Sequence, residues 1–170
     1  MTTIFQFIDL RSFSDVWYWL MLGVVWTRVM HAPMGVPAEL IHRARRGSPE
    51  AADDLARLTA IRVRHERDVA RALGAWRVAF WSCALTACGL AAYLYFVEFA
   101  QAVFLLLAPY ALVRLLVART AARMDAAMPS DDALVRAHLR LRRQVQVVVL
   151  PAVFLSAVWG MGYNLAQHAL

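Results

Sequence analysis

Lysine is absent from this 170-residue chain, so arginine supplies all 18 of its basic side chains. Charge of either sign is scarce: 18% of residues are charged against 61% hydrophobic, and the mean hydropathy is +0.51, which excludes an ordinary soluble domain. Only two cysteines occur, Cys83 and Cys88, both inside an apolar run and at a spacing that is neither a redox CxxC nor a zinc knuckle. No Ser-His-Asp arrangement, P-loop, dinucleotide glycine pattern or HExxH motif is found, which argues against an enzyme.

Haem in a small helical bundle needs two histidines at one depth on facing helices. His31, His42, His65, His138 and His168 offer no such pair, so no cofactor is expected. His65 and His138 fall on apolar helix stripes but at different distances from the apolar runs, which makes packed side chains of them rather than metal ligands. The central parts of the apolar runs carry no ionisable residue, against the expectation for a proton-coupled carrier.

What the chain does have is a charge pattern. Sixteen of the arginines lie in two blocks, at 43–77 and 114–143, separated by long uncharged stretches. Basic loops of this kind are retained on the cytoplasmic side of a bilayer. The formal charge of +6 and pI near 10.1 do not imply nucleic acid, because the arginines alternate with acids at helical spacing. Asp53 and Arg57, Arg62 and Glu66, Arg64 and Asp68, and Asp132 and Arg136 each stand four apart. Anionic lipid headgroups are the better match for the surplus.

The fold expected is all-α: a four-span transmembrane helical bundle with a cytoplasmic helical stalk, forming a single domain over 1–170. The spans are placed at about 13–33, 78–97, 99–118 and 145–165, with cytoplasmic helical segments at about 38–77 and 119–144. Both termini then face the periplasm of a bacterial inner membrane. Residues 1–15 read as a short segment lying in the outer interface, and 38–46 as a basic amphipathic helix on the inner surface. Ser48, Pro49 and Glu50 start a helix that no proline interrupts before Pro109. Met128, Pro129 and Ser130 end the next long helix, and Ser130, Asp131 and Asp132 open the last.

In the stalk, Ala51, Leu55, Leu58, Ile61, Val69 and Leu73 share one broad apolar stripe, and Leu134, Leu141 and Val145 form another. Small residues every four positions permit close helix approach in lipid. Ala79, Cys83, Ala87 and Ala91 form one such row, Ala84, Cys88 and Ala92 a parallel one, and Ala152, Ser156, Gly160 and Asn164 a third. On that basis the second and fourth spans are expected to be the tightest pair. Arg62, among apolar positions, and the run Arg43, Arg45 and Arg46 are the candidate contacts for a partner or for lipid.

Ile8 to Ser14, Trp17-Tyr18-Trp19, Gly35-Val36-Pro37, Arg43 to Gly47 and Val97 to Gln101 together resemble a small family of uncharacterised alphaproteobacterial membrane proteins. The resemblance covers most of the chain and implies an inner-membrane location. Some members carry a label linking them to the SufBCD iron-sulfur assembly complex, which implies a membrane docking site for Suf proteins. The function expected from the residues is an accessory, scaffold or assembly subunit of a larger membrane complex, acting by protein contacts. A homo-oligomeric channel or carrier for a small solute is the alternative. Partners are membrane lipids and either a membrane protein or a second copy, not nucleic acid.

Overall fold

The computed structural model describes residues 16–168, so the N-terminal segment read as interfacial lies outside the described residues. Those residues form five helices and no strand: α1 (Val16–His31), α2 (Ala38–Arg45), α3 (Pro49–Tyr93), α4 (Glu98–Ala126) and α5 (Asp131–His168). α3, α4 and α5 are long and apolar enough to cross a membrane.

Local chemistry sets each boundary. Ser48 caps α3, its hydroxyl accepting from the Ala51 N–H at 3.4 Å, and Pro49 fills the first helical position, where its missing N–H costs nothing. α2 ends in a Schellman turn: Gly47 takes φ +87°, its N–H donates to Ala44 O and the Ser48 N–H to Arg43 O. The link between α3 and α4 is only residues 94–97, which forces an antiparallel hairpin. Within it Phe96 adopts φ +53°, a left-handed backbone that costs a non-glycine residue on the order of 1 kcal/mol. α4 and α5 run unbroken through Pro109 and Pro151.

α4 lies at the centre, packed between α3 and α5; α1 lies along α5, and α2 lies against α3 and α5 at the arginine-rich end. This corrects the expected pairing, since the second and fourth spans, within α3 and α5, scarcely touch. The short link makes α4 the obligatory neighbour of α3, through the second small-residue row. Cys88 Sγ donates to Ala100 O at 3.3 Å, and a Cβ on Gly89 would stand 3.3 Å from Phe104. Ala79, Cys83 and Ala87 are exposed, because Cys83 and Cys88 point about 140° apart around a helix.

The stalk stripe is corrected too. The buried face of α3 is the four-spaced row Ala51, Leu55, Thr59 and Val63, while Ile61 and Leu73 are each 53% exposed. Of these, Leu55 and Val63 join Val117, Ala121 and Met124 of α4 and Leu134, Leu141, Val145 and Val149 of α5 in one core. α2 also differs from the reading of it as a surface helix on lipid. Ile41 is buried in that same core and Leu40 packs against it, because the Gly47 turn folds α2 back along α3.

Candidate functional site

On α3, Glu66, Ala70 and Arg77 share a face, since offsets of four and eleven residues are close to whole helical turns. On α4 the same rule aligns Arg114, Ala118, Ala121 and Asp125. The alanines facing each other across the two helices leave space that the longer side chains rim. The result is a cavity of about 270 Å³ whose walls include Val63, Glu66, Arg67, Ala70, Arg71, Arg77, Ala118, Ala121 and Asp125.

Glu66 is the centre of the charge arrangement. Its carboxylate accepts from Arg114 at 2.9 Å and from Arg77 at 3.4 Å, and its side chain is 12% exposed. Arg67 meets Asp125 across the helix pair at 3.2 Å, so the α3–α4 register is held by opposite charges on both walls. Both Arg77 and Arg114 reach from the apolar stretch toward the arginine-rich end, the direction in which a snorkelling side chain extends.

Arg77 and Ala118 are also walls of a second hollow, a groove of about 390 Å³. Val78, Trp81, Ser82 and Leu85 line it from α3, and Ala108, Ala111, Leu112 and Leu115 from α4. It is open at the side, with Val78 66%, Leu112 44% and Leu115 43% exposed. One end is therefore cationic and the remainder apolar.

Two further polar arrangements tie the helices together. In the core, Thr59 Oγ1 donates to Leu55 O at 2.7 Å and stands 2.9 Å from His138 Nε2. Since the hydroxyl proton is engaged, Nε2 must carry a proton and donate to Oγ1. Burial pushes the His138 imidazole down to about 4 from its ordinary 6.5. At the opposite end of the bundle, Gln101 donates to Ala92 O at 3.0 Å and accepts from Trp159 Nε1 at 3.1 Å. Ala92 O is free to accept because α3 ends one residue later.

The sequence-derived candidates are scattered. Arg43, Arg45 and Arg46 are exposed and line neither of the two hollows beside Glu66. Arg62 lies over Gly35, where a Cβ would be 2.8 Å from its Cζ, and Gly35 holds φ +72°. Ala152, Ser156 and Gly160 are buried as a row, and the Ser156 hydroxyl donates to Ala152 O; the side chain of Asn164 lies outside the described part. His65 is exposed and His138 is in the core, and among the described residues no group of three metal-ligating side chains gathers. Intrahelical spacing pairs Glu66 with Arg62, four residues before it, and so hides the cluster. The signal that pointed to it is the eleven-residue interval to Arg77.

No family model, curated protein or solved structure matches the chain.

Proposed function

We propose that this chain is a multi-pass protein of a bacterial inner membrane, acting as an accessory, scaffold or assembly subunit of a larger membrane complex through protein contacts. In this reading α1 is a fourth span, its C-terminal Arg28 and His31 at the cytoplasmic surface, and the arginine-rich ends of α3, α4 and α5 form a cytoplasmic stalk.

The observation that carries the reading is the outer face of α3. Ile61 is 53% exposed in a part of the helix too rich in charge to lie in hydrocarbon. Eighteen and twenty-two residues further on, close to whole helical turns, exposed Ala79 and Cys83 fall on the same side. Apolar exposure in water and small residues in lipid both favour a partner helix on that side.

The test is purification in mild detergent from native membranes, followed by mass spectrometry of species present in stoichiometric amount. A defined partner that is lost on Ile61→Glu, with thermal stability retained, supports the proposal. A homo-oligomer that persists in that variant rejects it in favour of the channel or carrier alternative.

A further inference from the structure

We propose that the groove between α3 and α4 is a binding site for one anionic phospholipid, its phosphate held by Arg77 and Arg114 and the upper part of one acyl chain lying along Trp81, Leu85 and Ala111. Three observations converge on this ligand. First, the charge at the mouth is unbalanced: Arg67, Arg71, Arg77 and Arg114 line the two adjoining hollows against Glu66 and Asp125, and with Asp68 on Arg67 at 3.5 Å a surplus of one positive charge remains. Second, each guanidinium has five N–H donors, and the Glu66 carboxylate accepts one from each of Arg77 and Arg114. Donors remain for a phosphate, which an arginine pair grips well.

Third, the groove beyond the arginines is apolar and open at its side. The seven helical steps from Val78 to Leu85 span about 11 Å, room for the first portion of an acyl chain. A free anion has no use for such a channel, whereas a lipid whose headgroup sits at the arginines must place its chain there. Glu66 sets the affinity by competing with the phosphate for both guanidiniums. The site would hold a lipid against the seam of α3 and α4, bridging the two helices from the membrane side.

This inference rests on the bilayer location proposed above, and alkaline carbonate extraction of membranes tests that location independently of the groove. The site itself is tested by native mass spectrometry of the full chain, stripped of lipid by detergent exchange and titrated with phosphatidylglycerol or phosphatidylcholine of identical acyl chains. Phosphatidylglycerol is expected to bind about tenfold more tightly, from roughly one favourable unit of headgroup electrostatics. Glu66→Gln should tighten that binding further, a gain that misfolding cannot produce. Arg77→Gln with Arg114→Gln should bring the two lipids to parity, and Ala111→Phe should weaken both by filling the groove. Equal binding of the two lipids to the native chain, or weaker phosphatidylglycerol binding in Glu66→Gln, overturns the proposal. Displacement of the lipid by millimolar inorganic phosphate also overturns it, assigning the arginines to a free anion.

Discussion

His138 on α5 and Thr59 on α3 are joined by a 2.9 Å hydrogen bond in the core, and neither side chain is more than 3% exposed. The bond links two helices that otherwise barely meet, so its integrity reports on the docking of the arginine-rich ends of α3 and α5.

Burial of that imidazole makes stability depend on pH in a defined window. The folded imidazole titrates near 4 and the unfolded one near 6.5, so the unfolded chain takes up the proton first as pH falls. Stability from this group is therefore full above pH 6.5, declines as pH drops, and is lost by about pH 4. The span corresponds to about 3 kcal/mol. Thermal melting in detergent at pH 7.5 and 5 should show the decline, and His138→Leu should remove its share. Thr59→Val should cost about 1–3 kcal/mol at neutral pH by leaving the His138 N–H without an acceptor.

Gly35→Ala is expected to destabilise the chain mainly through its backbone. The φ of +72° costs alanine about 1 kcal/mol, whereas the Arg62 guanidinium that the new methyl group meets is the far end of an exposed side chain and moves aside at small cost. Arg62→Ala in the same background should therefore recover little of the loss. A double-mutant cycle on melting temperatures checks this, and a large recovery would show that the guanidinium does not move aside.

The two cysteines should react differently. In mild detergent a maleimide should label Cys83, which is exposed, before Cys88, which is half-buried and donates to Ala100 O. Mass spectrometry of digested protein reads the order. Equal labelling would mean that the α3–α4 seam is looser than its geometry indicates.

Gln101 should couple energetically to Trp159. Gln101→Leu removes both of its hydrogen bonds, and Trp159→Phe removes one, so the double variant should cost less than the two singles together. The coupling expected for such a bond at a bilayer depth is on the order of 1 kcal/mol. Melting of the four proteins measures it.

Helix boundaries were legible where single residues decide them. Ser48 and Pro49 start α3, Pro129 and Ser130 separate α4 from α5, and the short link after Tyr93 dictates the hairpin. Which face of each helix turns inward was less legible. A broad apolar stripe on α3 admitted Ile61 and Leu73, and only the packed partners show that the inward row runs through the polar Thr59. The small-residue rows were visible, but choosing between two rows on one helix requires knowing the neighbour. Local pairing rules misassigned Glu66 for the same reason. Its second partner, Arg114, is 48 positions away, and no rule of intrahelical spacing reaches across a hairpin.

The unbroken course of α3 has a mechanical consequence. Its 45 residues amount to about 68 Å of helix, of which some 43 Å precede the apolar part. A rod with no proline joint transmits rotation as well as load. A tilt of about 10° in its apolar part would sweep the far end sideways by about 7 Å, from the same rise per residue. A change in bilayer thickness that alters helix tilt would thus arrive at the Ser48 end as a displacement larger than a side chain.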